Sequence, residues 1–322
     1  MGYRNDRWKT GYLKWKTNIV LYMTKDGILY IGTAPPYYEE AKISAKTAKE
    51  HNDVPIAIIT SSSLSERAET CPYFDEAILI NKTNLYDDVR DKIYHMSKSP
   101  FENTIYIDGD TFILDDITPV FDMLSRFDIT ASHALVRPVV TVDCVPDSFP
   151  ELNTGVIGFT SSGKVNRFFE KWKNIHKNQM WSGRPHETVT LSNASSLDDI
   201  PFGKKHGQPP FREALYHSDL QFSALPTEYN YRGNVWAYDS VKIVHMGHGI
   251  TGSRMKNKIN TTKGGRTYVH KNSRLYFASG PTVPLLSRRE QFFKKSKNLV
   301  WKLITYIGIE SQIRKLYYQI RK

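Results

Sequence analysis

Short apolar runs alternate with helix-like segments along the first two-thirds of the chain. The apolar runs predict strands over 28–33, 54–60, 77–80, 104–107 and 156–160, with a further apolar segment at 129–136 and a later strand over 242–246. Apolar positions at helical spacing predict helices over 37–50, 87–96 and 164–176. Because strands and helices alternate, the pattern predicts an α/β fold with a mostly parallel central sheet and helices on both faces.

The region 181–210 departs from this alternation. Gly, Pro, Ser and Asn dominate it, so the composition predicts a long loop. Loops of this length inside a compact domain usually carry function.

An acidic triplet, Asp108-Gly109-Asp110, directly follows the apolar strand at 104–107. Side chains at positions i and i+2 of an extended chain point the same way, so the two carboxylates can converge on one point. Converging carboxylates repel each other unless a cation lies between them, and oxygen ligands suit Mg²⁺ or Mn²⁺. The glycine lets the backbone approach a ligand closely. Taken alone, the triplet fits an ordinary turn equally well, because Asp and Gly are common in turns.

A second segment, Thr33-Ala34-Pro35, stands at the end of the first predicted strand. In mostly parallel sheets, ligands bind outside the carboxyl ends of the strands. Both this segment and the acidic triplet stand at such ends. The sequence therefore predicts one cleft that the two segments share.

The net charge of +11 is concentrated near the C-terminus. Residues 287–322 hold ten Lys or Arg against two Glu, a balance of +8, which leaves +3 for the first 286 residues. This distribution argues against a nucleic-acid groove across the fold. Apolar residues at helical spacing run through the same segment: Leu299, Leu303 and Ile307, then Ile309, Ile313, Leu316 and Ile320. The combination predicts an amphipathic helix on an anionic membrane surface, with a helix docked on protein as the alternative.

The cysteine count and the hydropathy limit the cellular setting. Cys71 and Cys144 are too few and too far apart for a disulfide framework or a zinc site. No apolar run reaches the roughly 18 residues that span a bilayer, and the first residues lack the apolar region of a signal peptide. We therefore expect a cytoplasmic protein that associates peripherally with the membrane.

Four groups of residues stand in a fixed order between about 18 and 260. They are Gly32-Thr33-Ala34-Pro35; Lys92, Ser99-Pro100-Phe101 and Thr104-Ile105-Tyr106-Ile107-Asp108-Gly109-Asp110-Thr111; Leu152-Asn153-Thr154-Gly155-Val156; and Gly207-Gln208-Pro209, Arg212-Glu213-Ala214-Leu215, Leu225-Pro226, Tyr229-Asn230 and Val244-His245. In this order they resemble the nucleotide-sugar-dependent glycosyltransferases of the GT-A fold, close to the retaining enzymes of family 8. The resemblance implies a Rossmann-like GT-A domain over 18–280. An N-terminal extension at 1–17 and a basic amphipathic helical tail at 281–322 flank it.

The resemblance implies a divalent metal ion, Mn²⁺ or Mg²⁺, on the diphosphate of a nucleotide-sugar donor, a UDP-sugar. Asp108, Asp110 and His245 would be its ligands, and a shell of oxygen and imidazole ligands favours Mn²⁺ somewhat. His248, three residues later, is the competing ligand. Without the resemblance, His245 is also interpretable as a buried structural histidine.

The resemblance also assigns contacts with the donor. The residues that would receive the base, ribose and diphosphate are Thr33, Ala34, Pro35, Tyr37, Lys92, Asp108, Gly109, Asp110 and His248. The alternative interpretation of Lys92 is an ordinary lysine that is exposed to solvent and does not contact the donor.

Two amide side chains are the catalytic candidates that the resemblance implies. Asn153 would meet the donor sugar or the acceptor, and Gln208 would lie near the anomeric carbon and stabilise an oxocarbenium-like transition state. Family members commonly have Asp-Gln where this chain has Gly207-Gln208, which leaves the donor sugar open, with Asp219 as the alternative carboxylate. The resemblance implies transfer to a hydroxyl of a glycan or lipid-linked acceptor. No side chain stands out as a base for an inverting reaction, so we predict transfer with retention.

The sequence leaves two other classes of function open. One is a metal-dependent phosphohydrolase, although the Asp-x-Asp-x-Thr/Val signature of Asp-nucleophile phosphatases has Thr or Val where this chain has Phe112. The other is a non-catalytic, membrane-associated glycan or nucleotide binder. The glycines at 247, 249 and 252 match a dinucleotide fingerprint, but no amphipathic helix follows them, and loop glycines beside cations better suit contact with a diphosphate.

Overall fold

The computed structural model describes residues 24–81, 91–134, 144–182, 207–232, 236–245, 256–261, 264–269 and 282–284, and isolated positions between 289 and 306. The predicted N-terminal extension, His248, the glycines at 247–252 and most of the C-terminal tail lie outside these residues. The predicted domain boundaries stay predictions.

A seven-stranded sheet forms the centre of the described structure. The described residues form twelve strands in all, seven of which belong to this sheet. They are β1 (Thr24–Ile31), β2 (Ile56–Ser61), β3 (Glu76–Ile80), β4 (Phe101–Ile107), β5 (Thr111–Ile113), β6 (Ile129–His133), β7 (Leu152–Thr160), β8 (Phe222–Leu225), β9 (Trp236–Ala237), β10 (Ile243–His245), β11 (Arg266–Val269) and β12 (Thr282–Pro284). The central sheet has the order β3-β2-β1-β4-β7-β6-β8. Strands β3, β2, β1 and β4 are parallel, β7 is antiparallel to both neighbours, and β6 is parallel to β8. The predicted mostly parallel sheet is confirmed.

Helices cover both faces of this sheet. They are α1 (Pro35–His51), α2 (Ser65–Glu69), α3 (Asp91–His95), α4 (Pro119–Leu124), α5 (Gly163–Ser182) and α6 (Gln208–Tyr216). Successive side chains of a strand point to opposite faces, so Leu29 packs with apolar residues of α3, α5 and α6, and Ile28 packs with those of α1, α2 and α4. The predicted helices on both faces are therefore confirmed. None of the helices formed by the described residues is both long and apolar enough to cross a bilayer.

The predicted bounds of the loop at 181–210 are wrong at both ends. Helix α5 continues to Ser182, and α6 begins at Gln208 with Pro209 and Pro210 in its first turn. Proline has no N–H to donate, and the first N–H groups of a helix have no partner inside the helix, so proline is tolerated there. Residues 183–206 lie outside the described chain.

The sheet order brings distant segments to one edge. Strands β1 and β4 are parallel neighbours, so Gly32 and Asp108 follow them on the same side. Strand β7 is antiparallel to β4, and its first residues lie beside this edge, where the Asp108 N–H donates to the Gly155 carbonyl at 2.8 Å. Strand β10 pairs with β5, so that His245 faces Thr111. The acidic turn, the start of β7 and the end of β10 therefore meet.

The acidic turn lies directly against helix α1. A Cβ atom at Gly109 would lie 2.9 Å from the backbone nitrogen of Ala41, so only glycine fits this close approach. The sequence predicts that this glycine allows a close approach to a ligand, which stays a prediction. The structure shows that it also allows a close contact with a helix.

A chain of buried hydroxyl groups joins the same elements. Thr111 Oγ1 donates to the Asp108 carbonyl, so Ser44 Oγ donates to Thr111 Oγ1 at 2.6 Å and the Tyr30 hydroxyl donates to Ser44 Oγ at 2.9 Å. Tyr30 and Ser44 are completely buried. Strand β1, helix α1 and the acidic turn are therefore linked through a single sequence of donors.

Ser44→Ala should lower the free energy of unfolding by about 1–3 kcal/mol, because it leaves the buried Tyr30 hydroxyl without its acceptor. Chemical denaturation measures this loss. The Tyr30→Phe/Ser44→Ala double variant should be more stable than Ser44→Ala alone, since it buries no unpaired hydroxyl. A double variant less stable than Ser44→Ala would contradict this account.

Candidate active site

Two aspartates and a histidine converge at the carboxyl edge of the sheet. His245 Nε2 lies 3.0 Å from Asp110 Oδ1 and 3.8 Å from Asp108 Oδ2. One ligand atom from each of the three side chains lies within 4.8 Å of the other two. Ligand atoms about 2.1 Å from one metal ion and at right angles are about 3 Å apart, so these residues fit a single divalent cation. The structure thus brings together the three metal ligands predicted from the sequence.

Lys92 extends from α3 to the acidic turn. Its Nζ atom donates to both carboxylate oxygens of Asp108, at 2.8 and 2.9 Å, and to the Thr154 carbonyl at 3.0 Å. The residue is only 8% exposed. The alternative of a solvated lysine is therefore wrong, and contact between Lys92 and a donor stays a prediction.

Tyr106 also holds the Asp108 carboxylate. Its hydroxyl donates to Asp108 Oδ1 at 2.5 Å, and Lys92 Nζ lies 5.6 Å from the centre of its ring. Burial, together with the charge of Asp108, raises the pKa of Tyr106 well above its ordinary value. The hydroxyl therefore stays a hydrogen-bond donor, and the Asp108 carboxylate is fixed from two sides.

One cleft lies between the end of β1 and the acidic turn, but Thr33, Ala34 and Pro35, which the sequence predicts to share it, are not among its lining residues. It has a volume of about 290 Å³, and it is lined by Ile31, Tyr37, Glu40, Lys92, Tyr106, Asp108, Gly109, Asp110 and His245. Most of the residues predicted to bind metal or donor are in this lining.

Glu40 adds a third carboxyl group to the cleft. Burial is the main cause that raises its pKa from 4.5 to about 7, and the charges of Asp110 and Asp108 add to the effect. Near neutral pH the cleft therefore holds a carboxyl group that gains or loses a proton readily.

The segment predicted to receive the base lies where β1 passes into α1. Thr33 is buried and donates a hydrogen bond to the Asp91 carboxylate. Ala34 immediately precedes α1, and Pro35 is the first residue of this helix. Contact of these residues with a base and ribose stays a prediction.

The two catalytic candidates contact each other. Asn153 Nδ2 donates to Gln208 Oε1 at 2.7 Å, and Gln208 Nε2 donates to Glu151 Oε1 at 3.1 Å. Asp219, proposed as the alternative carboxylate, is exposed and follows the far end of α6. That helix has nine residues, about 13 Å at 1.5 Å per residue, and Gln208 begins it. The carboxylate beside Gln208 is therefore Glu151 and not Asp219.

Four residues of this region have no role in the sequence interpretation: Glu40, Tyr106, Glu151 and Asn230. Spacing could have identified three of them. Glu40 lies three residues after Tyr37 on a helix, so the two share a side. Tyr106 lies two residues before Asp108, and Glu151 two residues before Asn153, so on an extended chain each shares a side with its neighbour. For Asn230, no local pattern exists, because its partners Asn153 and His245 lie far away in the chain.

In the metal-free protein, Glu40→Gln should raise the free energy of unfolding above pH 7 and leave it unchanged near pH 4. The raised pKa means that the folded state binds the Glu40 proton more tightly than the unfolded state, so stability falls as pH rises from 4.5 to about 7. Glutamine has no proton to lose in this pH range, so the variant does not show this fall in stability. Denaturation curves at both pH values measure the difference, and an equal effect at pH 4 and pH 8 would be contrary to the assignment.

No protein-family model and no curated protein sequence matches the chain. Among solved structures, it is similar to the galactosyltransferase LgtC in complex with donor and acceptor sugar analogues, with 10% identity, a TM-score of 0.47 and coverage of 73% of this chain and 97% of that one. It is also similar to the glycosyltransferase GlyE of Streptococcus pneumoniae TIGR4. Two structures of GlyE match with 14% and 16% identity, TM-scores of 0.44 and 0.40, and coverage of 75% and 65% of this chain.

The chain spans about half the length of GlyE, 58% in the structure with 14% identity and 47% in the structure with 16% identity. These similar structures are glycosyltransferases, the class that the motifs of the chain resemble.

Proposed function

We propose that the chain is a metal-dependent glycosyltransferase. It would move a sugar from a nucleoside diphosphate donor, a UDP-sugar, to a hydroxyl of a glycan or glycolipid acceptor. The observation that carries the proposal is the convergence of Asp108, Asp110 and His245 beside Lys92 in one cleft at the carboxyl edge of the sheet. A diphosphate leaving group needs positive charge where its own negative charge develops. The carboxylates and the imidazole at this edge could hold a divalent cation that supplies it, and the ammonium group of Lys92 lies beside them.

The residues divide this task between them. Asp108, Asp110 and His245 would hold Mn²⁺ or Mg²⁺, which when bound supplies Lewis-acid stabilisation of the departing diphosphate. Lys92 contributes a fixed positive charge, oriented by Asp108 and the Thr154 carbonyl. Tyr106 keeps the Asp108 carboxylate in place through its hydroxyl.

Asn153 and Gln208 would position the reacting sugar. Both are almost completely buried and hydrogen-bonded to each other, so their amide groups are already oriented before a donor binds. Such preorganisation lowers the barrier, because little reorientation is needed in the transition state. We propose transfer with retention, which the anomeric configuration of the product would test.

The phosphohydrolase alternative is less well supported. The version with an aspartate nucleophile would use Asp108, but both oxygens of Asp108 accept hydrogen bonds from Lys92, and Oδ1 also accepts one from Tyr106. These bonds stabilise the carboxylate and weaken it as a nucleophile. Incubation of the purified protein with nucleotide sugars and Mn²⁺ separates the classes. Release of nucleoside diphosphate supports the transferase, release of inorganic phosphate supports the phosphohydrolase, and no turnover with any donor supports a non-catalytic binder.

Asp110→Asn should reduce metal-dependent release of nucleoside diphosphate by about 100-fold or more, because a neutral amide replaces an anionic ligand. Steady-state turnover across a Mn²⁺ titration measures the loss. Asp122→Asn, at an exposed aspartate of α4, is the matched control and should leave turnover unchanged. Turnover by Asp110→Asn at the wild-type rate would refute the metal assignment.

We further propose that the C-terminal segment binds an anionic membrane surface. Three of its described apolar side chains are strongly exposed: Phe292 at 67%, Leu299 at 64% and Leu303 at 59%. Lys and Arg dominate the charge of the same segment. Exposed apolar side chains together with cations suit the boundary between the headgroups and the acyl chains of anionic lipids.

The double variant Leu299→Ser/Leu303→Ser should weaken binding to anionic vesicles, because it removes apolar area that would enter the lipid. Sedimentation with vesicles of anionic and of neutral lipid measures the binding. Leu79→Ser changes an exposed leucine of β3 and is the control. Equal vesicle binding by both variants and the wild type would favour a helix docked on protein.

A further inference from the structure

A buried line of hydrogen bonds runs from Glu151 to the proposed metal site. We call it the amide chain, and its members are Glu151, Gln208, Asn153, Asn230 and His245. The links beyond Gln208 are Asn230 Nδ2 to Asn153 Oδ1 at 2.8 Å and His245 Nδ1 to Asn230 Oδ1 at 2.8 Å. All five residues are at most 6% exposed. Water therefore has little access to these groups, and their hydrogen bonds are made within the protein.

The backbone fixes the direction of donation along the amide chain. The Gly155 N–H can only donate, and it points at Asn153 Oδ1 at 2.9 Å. This identifies the oxygen of the Asn153 amide, so the group of Asn230 that contacts the same atom must be its NH₂. The oxygen of Asn230 then faces His245 Nδ1, and that nitrogen must carry a proton.

The other end of the amide chain has the same direction. Asn153 Nδ2 donates to Gln208 Oε1, which turns the NH₂ group of Gln208 towards Glu151, where it finds an acceptor. A carboxylate can only accept hydrogen bonds. Both ends of the chain therefore favour one orientation of every amide between them.

We propose that Asn230 is a positioning residue that holds His245 with its proton on Nδ1, so that the Nε2 lone pair faces Asp108 and Asp110. The inference rests on the proposed metal site, because only a neutral Nε2 can be a ligand. In the opposite tautomer, Nε2 carries the proton and donates it to Asp110 Oδ1, 3.0 Å away, which removes the imidazole as a ligand. Glu151 supports the same orientation from the far end of the amide chain.

Gly155 fixes the position of the ring that Asn230 orients. A Cβ atom at this position would lie 2.6 Å from His245 Nδ1 and 2.9 Å from Asn153 Oδ1. The histidine therefore packs directly on the backbone of β7, within reach of the amide chain. Strand β7 supplies the donor that orients Asn153 and the surface on which His245 rests.

Nitrogen-15 NMR of the metal-free protein distinguishes the two tautomers, because a protonated ring nitrogen and a lone-pair nitrogen have well separated shifts. The His245 signals are assigned by their loss in His245→Gln. At a pH where the ring is neutral, the wild type should show a proton on Nδ1. In Asn230→Leu the proton should move to Nε2, while Asn230→Asp, which keeps an acceptor for Nδ1, should retain the wild-type tautomer.

A titration with Mn²⁺ alone, followed by electron paramagnetic resonance of the unbound ion, gives the second measurement. Asn230→Leu should weaken Mn²⁺ binding by about 10–100-fold, the usual effect of losing a partner of a metal-ligating histidine. The matched control is Asn52→Leu. Asn52 is buried and hydrogen-bonded to backbone groups away from the cleft, so this variant should unfold more easily but keep the tautomer and the Mn²⁺ affinity.

A proton on Nε2 in the neutral ring of the wild type would overturn the proposal. So would an Asn230→Leu variant with unchanged Mn²⁺ affinity. Neither measurement uses a nucleotide sugar, so the proposed transferase activity can fail separately. A protein with the expected tautomer and Mn²⁺ affinity that releases no nucleoside diphosphate would contradict the function and leave the role of Asn230 intact.

Discussion

Crowding of carboxyl groups is the constraint around which this cleft is built. Asp108, Asp110 and Glu40 line a space of about 290 Å³. At an effective dielectric constant of about 20, two like charges 4 Å apart repel by about 4 kcal/mol, a large part of the stability of a typical domain. The buried ammonium group of Lys92 offsets one charge, and the raised pKa of Glu40 removes part of another. The remaining repulsion between the carboxylates favours the binding of a cation between them.

The sheet order makes this concentration of charge possible. Parallel pairing of β1 and β4 places their carboxyl ends side by side, and the reversed direction of β7 brings Asn153 back to the same edge. His245 arrives through a separate two-stranded sheet, in which β10 pairs with β5 directly after the acidic turn. The backbone thus sets the position of each predicted ligand, and side-chain hydrogen bonds refine only its orientation.

Local pattern was enough to predict β1, β2, β3, β4, β7 and β10, but not β5, β8, β9, β11 or β12, and it placed the two aspartates of the acidic turn on one side. The buried runs of β1, β2 and β4 are apolar and β-branched, and two aspartates at i and i+2 share a side whatever the fold. The start of α6 was missed because Gly207 and two prolines resemble a loop, although proline also begins helices. The amide chain could not be predicted, because Asn153 contacts partners 55 and 77 residues away. Such contacts follow from the packing of β7 against α6 and the end of β8, which local sequence does not encode.

The contact between Gly109 and helix α1 has a thermodynamic consequence. The acidic turn rests on the backbone of the helix whose first turns present Tyr37 and Glu40 to the cleft. A group bound at the turn and a group bound at the start of α1 therefore contact two segments that pack directly on each other. A shift of one segment on binding would change the affinity at the other by the same factor in both directions, since coupling free energies are reciprocal. The missing side chain at residue 109 thus removes the spacer that would otherwise separate the two halves of the cleft.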